Sequence, residues 1–151
     1  MKIDLKSPPS CVLDDFSFNA FQVVQKKDDN KDDSLDVSCL LYPHKEDDER
    51  YQIRITLDYR GKAKTSFALQ IIANGYFRWR GGLESGKGVG YMAWVNGGTI
   101  LYGLTRATVA ELTSSCECGR VILPTIMMDD LVKTTIQERE KNSKLARPDD
   151  A

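Results

Sequence analysis

The chain has 151 residues, 41% of them apolar and 28% charged, with a formal net charge of −1. That length allows one packed domain and leaves no room for a pair of domains with a site between them. The balanced charge argues against a nucleic-acid partner, because phosphates require a concentrated cationic surface.

No apolar run approaches the roughly 20 residues that span a bilayer, so no membrane insertion is expected. Met1-Lys2-Ile3-Asp4-Leu5-Lys6 lacks the apolar stretch of a secretory leader. The protein therefore reads as cytoplasmic, and Cys11, Cys39, Cys116 and Cys118 as free thiols rather than a disulfide framework.

The first half alternates with the period of antiparallel sheet. Phe16, Phe18 and Ala20 share one phase while Phe21 and Val23 fall on the other, which predicts a bulge or strong twist near Ala20. Leu35, Val37, Cys39 and Leu41 form a second alternation, and Tyr51, Ile53, Ile55, Leu57 and Tyr59 a third. A fourth runs from Thr65 to about Trp79 through Phe67, Leu69, Ile71 and Ala73. The charged runs at 26–33 and 44–50 read as exposed turns, and Arg60-Gly61-Lys62 as a tight one. Links this short hold no parallel crossover, so the four strands are expected as an antiparallel meander.

The pattern then changes. Gly recurs at 81, 82, 86, 88 and 90, and from about 99 to 116 Leu101, Leu104, Thr108 and Leu112 follow helical spacing. Gly119 suits a left-handed stop after that helix. Val121-Ile122-Leu123-Pro124 reads as a short extended segment, and a second helix follows with Thr125 as its N-cap and Asp129 and Asp130 near its positive end. Met127, Met128, Leu131, Val132 and Ile136 make its apolar stripe. Residues 1–141 thus read as one α+β domain, four strands followed by two helices, and 142–151 as a flexible tail.

Gly81-Gly82-Leu83-Glu84-Ser85-Gly86-Lys87-Gly88 approaches a phosphate-binding loop, but Gly88 stands where a Mg²⁺-holding hydroxyl is needed and the preceding strands are antiparallel. A flexible hinge is the expected role. Cys116-Glu117-Cys118 has the wrong gap for a structural zinc site, and the one histidine, His44, lies in a charged loop, so no metal is expected. With that single histidine no nucleophilic triad is expected either, and the many carboxylates sit in solvated runs that raise no pKa. No catalysis and no cofactor are expected. Tyr76-Phe77-Arg78-Trp79-Arg80 interleaves aromatics with arginines as a base-stacking platform does; the reading adopted is a strand end with rings on the core.

Three segments carry a family likeness. Thr65-Ser66-Phe67-Ala68-Leu69-Gln70-Ile71-Ile72-Ala73-Asn74-Gly75-Tyr76-Phe77 resembles the last strand of the SecB export chaperones, with its Gly-x-Phe after an aliphatic run. Asn96-Gly97-Gly98-Thr99-Ile100-Leu101-Tyr102-Gly103-Leu104-Thr105-Arg106 is similar to the opening of the long SecB helix. Gly119-Arg120-Val121-Ile122-Leu123-Pro124 is similar to the segment leading into the final one. The resemblance implies a SecB-like fold, a homotetramer built as a dimer of dimers with the long helices between the sheets, and an apolar groove for unfolded polypeptide. It implies client contacts at Leu41, Tyr42, Met127, Met128 and Leu131, where methionines suit varied sequences.

Departures from the family are equally specific. Gln70 stands where the family carries an acidic residue for docking the SecA motor, and Lys144-Leu145-Ala146-Arg147-Pro148-Asp149-Asp150 replaces its polar, basic tail. A SecB-like chaperone that works without ATP and serves another client, such as an antitoxin, fits these departures better than an export factor. The alternative in another class is a scaffolding subunit that binds one folded partner.

Overall fold

A computed structural model describes residues 1–2, 10–26 and 33–146, without the side chains of 145 and 146. Four strands, β1 (Cys11–Gln25), β2 (Ser34–Pro43), β3 (Arg50–Lys62) and β4 (Ser66–Trp79), precede two helices, α1 (Val89–Thr113) and α2 (Met128–Ala146). Every strand pairing is antiparallel. The α+β class and the four-strand, two-helix order agree with the sequence reading.

The strand order is β1-β4-β3-β2 rather than sequential. β2, β3 and β4 form the expected meander, but β1 pairs with β4 and lies at the far edge from β2, a Greek key traced from its other end. The eight-residue link between β1 and β2 is longer than a tight hairpin, so nothing local forces those strands together. It also has the reach: crossing the end of two intervening strands takes about 14 Å, well inside the roughly 26 Å of eight extended residues. The exposed turn expected at 26–33 falls mostly on residues outside those described.

Two bulges in β1 explain its phase. The register slips between Leu13 and Asp15 and again between Phe18 and Ala20, leaving Asp14 and Asn19 as the extra residues. Each slip reverses the alternation, so Leu13, Phe16, Phe18, Phe21 and Val23 all oppose inward-facing β4 residues. The slip beside Ala20 is the one the sequence predicts. The slip at Asp14 escaped because a single polar residue left no second apolar run to compare.

The turn between β3 and β4 is one step later than expected. Gly61 and Lys62 remain in the ladder, and the chain reverses over 63–65. Gly61 is there for space, since a Cβ would lie 2.9 Å from Asp33 Oδ1 and 3.1 Å from Phe67 Cζ.

One sheet face carries the core. Ile53, Ile55, Leu57, Leu69, Ile71, Ala73 and Phe77 are buried under α1 together with Leu101 and Val109. α1 begins ten residues before the expected start, and its Gly97-Gly98 pair lies within the helix. Both glycines face inward: a Cβ on Gly97 would lie 2.9 Å from Ile53 Cγ1, and one on Gly98 would lie 2.8 Å from Met128 Sδ and 3.0 Å from Cys39 Sγ. Glycine normally costs a helix interior about 1 kcal/mol against alanine, so pattern reading places a loop where tertiary contact demands a helix. α1 closes at Ser114, and Gly119, although left-handed at φ +86°, shapes a loop whose Cys118 carbonyl accepts from Lys64 N at 2.7 Å.

α2 starts at Met128, three residues after the expected Thr125 cap, with Asp129 and Asp130 in its first turn as predicted. It stays helical through Asn142 to Ala146, so the expected tail is helical at its start. Residues 147–151 lie outside those described.

Gly97→Ala is expected to lower stability by about 1–3 kcal/mol in chemical denaturation, despite alanine's better helix propensity. An unchanged or raised midpoint would refute the close approach of α1 to β3.

Candidate functional site

α1 covers the middle of the sheet and α2 packs over β2. That leaves the inward face of β2 incompletely roofed. Leu35, Val37 and Leu41 are only half-buried there, and Ile126, Leu131 and Ile136 are half-buried on the segment and helix beside them. Met127, next to Met128, is more open, at 67% exposure. The result is an apolar strip along an edge strand, next to unpaired backbone groups.

The extended segment 119–127 that borders the strip is fastened to α1. The Tyr102 hydroxyl donates to the Pro124 carbonyl, Arg106 Nε donates to the Leu123 carbonyl at 2.9 Å, and the Val121 amide donates to Thr113 Oγ1 at 2.8 Å. Burial pushes the Tyr102 phenol up, so it remains a donor at neutral pH. On the other side Trp94 Nε1 donates to the Cys39 carbonyl at 3.1 Å, and Arg139 of α2 lies 5.2 Å from the Trp94 ring centroid. One indole thereby holds α1, α2 and β2 in fixed relation.

Only part of the expected client-contact set shares this surface. Leu41 and Leu131 lie at the strip, and Met127 is on its open rim. Met128 is 5% exposed and packs in the core against Gly98, so it presents no contact surface. Tyr42 is on the opposite sheet face, because consecutive strand residues point to opposite sides. Gln70 is exposed on that outer face, paired with Asp58 and Gln22. Leu35, Val37, Ile126 and Ile136 were missed as surface residues; alternation marks Leu35 and Val37 as inward but carries no sign of how far a helix covers them.

A second open surface is the outward face of α1. Met92 and Ile100 are exposed at 46% and 37%, and the helix carries Arg106 and Glu111 as its only charges. Gly103 belongs to this face, and a Cβ there would meet nothing within 4 Å.

The Gly-rich loop is tied inward. Gly82 N donates to the Trp79 carbonyl at 3.1 Å, Leu83 N to Asp48 O at 2.9 Å and Ser85 N to Gly82 O at 3.2 Å, so these amides do not converge on an outside group. Among the described residues no three His, Cys, Asp or Glu side chains gather as a metal site would require. All four cysteines are unpaired. No helix among the described residues is long and apolar enough to cross a membrane.

No family model and no curated protein sequence matches the chain. Among solved structures it is similar to the Mycobacterium tuberculosis Rv1957 SecB-like chaperone, in complex with a ChAD peptide from the Rv1956 HigA1 antitoxin. The TM-score is 0.59 at 12% identity, covering 78% of this chain and 91% of that one. A protein of unknown function from Streptococcus agalactiae aligns at TM-score 0.48 and 12% identity, over 76% and 97% of the two chains. The chain has a SecB-like fold.

Buried Cys39 generates a pH prediction. Burial pushes its thiol from 9.0 up to about 12, and Tyr51 is raised in the same way. Above the ordinary thiol pKa the unfolded chain has lost a proton that the folded chain keeps. Stability is therefore full below about pH 9 and falls as pH rises toward 12. Denaturation followed from about pH 8 to pH 10.5 should show this slope, and Cys39→Ala should flatten it by up to about 1 kcal/mol per pH unit. An identical slope in the variant would place the alkaline sensitivity elsewhere.

Proposed function

We propose that the protein is a non-catalytic, ATP-independent chaperone of SecB-like type that holds non-native polypeptide segments on the strip beside β2. The observation that carries this reading is the half-roofed inward face of β2, where Leu35, Val37 and Leu41 adjoin Leu131 and the exposed Met127. An extended segment there gains apolar contacts and hydrogen bonds to the strand edge together. Met127, long and unbranched, adapts to varied side chains. The peptide-bound state of the mycobacterial protein of the same fold supports the reading at the level of architecture.

Release by handover rather than hydrolysis fits a Gly-rich loop whose Gly82, Leu83 and Ser85 amides are engaged within the chain. The client is a cytoplasmic protein such as an antitoxin, a setting consistent with four free thiols. Gln70 is itself uncharged, and its acidic neighbour Asp58 has Arg60 3.9 Å away, which supports a route independent of the SecA motor.

The working form is a homotetramer, a dimer of dimers. The outward face of α1, with Glu111 as its one exposed charge, supports this assembly, because an interior helix glycine with open space around it has no use within one copy. Close approach of a second helix at Gly103 gives it one.

In a light-scattering assay without ATP, the protein should suppress aggregation of two unrelated denatured proteins near one tetramer per client. Met127→Asp should weaken suppression by about threefold or more with the fold retained. Suppression of neither protein would exclude a general holding chaperone and leave the single-partner scaffold. Separately, Gly103→Arg should leave the folded protomer intact and lower the assembly mass in analytical ultracentrifugation; an unchanged mass would remove α1 from the subunit contacts.

A further inference from the structure

Tyr42 and Tyr76 stand on the outer sheet face, each 42% exposed, on either side of Gln52, which pairs with both. Two strand spacings, about 10 Å, separate their backbones. That is twice the roughly 5 Å centroid distance of an aromatic pair, so a ring entering over Gln52 meets a tyrosine on each side. The Gln52 amide is oriented as well. Arg54 only donates, so the Asn74 atom it meets at 2.9 Å is Oδ1, and the Gln52 atom on that oxygen at 2.8 Å must be Nε2. The Gln52 carbonyl oxygen is left as an acceptor.

The next row toward the sheet end is cationic. Arg50 and Arg78 are direct cross-strand partners, an arrangement unfavourable without an anion. Asp14, extruded by the first bulge of β1, satisfies Arg78 with hydrogen bonds of 2.9 and 2.8 Å. Arg50 has a 3.4 Å contact with Asp47 and a longer-range attraction to Asp14, and Lys45 has no ion pair among the described residues. Asp14 and Glu46 are the carboxylates on the same lining. Lys45, Arg50, Gln52, Arg78 and the two tyrosines line one open cleft of about 880 Å³ with them.

We propose that this cleft is a second binding site, for an extended acidic peptide whose aromatic residue and carboxylate are two positions apart. The ring lies between Tyr42 and Tyr76, and the carboxylate reaches Arg50 and Lys45. Gln52 and Arg50 are two residues apart on β3, about 7 Å, the same repeat that separates alternate side chains of an extended peptide. A peptide running along β3 therefore meets both rows in register. The site lies on the face opposite the β2 strip and stands whether or not the strip binds clients.

The experiment is fluorescence anisotropy with the whole chain and a labelled, end-capped peptide of about ten residues. The peptide carries tryptophan two positions from glutamate in a glycine–serine background. Binding should saturate, weaken as salt rises, and fall about tenfold or more with Tyr76→Ala and with Arg50→Glu. Both side chains are exposed, and circular dichroism should show the fold unchanged. A peptide with lysine in place of glutamate should not bind. Equal binding of the lysine peptide, indifference to both substitutions, or no saturable binding overturns the proposal. Tighter, competitive binding of adenosine monophosphate also overturns it and assigns the cleft to nucleotides.

Discussion

The closeness of α1 to the sheet governs the rest of the architecture. At Gly97 and Gly98 the helix backbone approaches Ile53, Cys39 and Met128 so nearly that a methyl group on either residue would overlap a neighbour. β2, β3 and the first turn of α2 converge on that point. Trp94, one turn earlier on α1, adds its hydrogen bond to the Cys39 carbonyl and its contact with Arg139. Two interior glycines weaken the helix as an isolated element, and packing more than offsets the loss once the sheet lies beneath it.

α1 packs over β3, β4 and β1 and meets β2 least. The two margins of the sheet therefore differ. On β1 the bulges gather Phe16, Phe18 and Phe21 on the helix side, their rings meeting edge to face at 6.1 and 5.9 Å. On β2, α2 roofs only part of the strand and leaves aliphatic residues half-open beside a free edge. The apolar strip thus follows from helix placement rather than from an unusual local sequence.

The outer face obeys a different chemistry because the same strands alternate. No element among those described covers it, and its centre is a polar network in which Arg54 and Gln52 share the Asn74 carbonyl oxygen. Leu41 and Tyr42 show how sharply the two faces are separated. They are neighbours in sequence, yet one borders the aliphatic strip and the other an aromatic, cationic cleft.

What the sequence by itself determined is what periodicity and residue chemistry encode locally. The four alternating runs, the switch to helical spacing, the phase change near Ala20 and the acidic start of α2 are all readable within short windows. Three segment likenesses also point to the SecB-like architecture. Only the tertiary structure decided that β1 joins β4, that α1 extends back through Gly97 and Gly98, that Met128 is core while Met127 is open, and that Tyr42 faces away from Leu41's strip. Each of these depends on contacts between residues far apart in the chain. Strand alternation says which residues share a face, but a strand's neighbour, and how much of that face a helix will cover, follow from packing the whole chain at once.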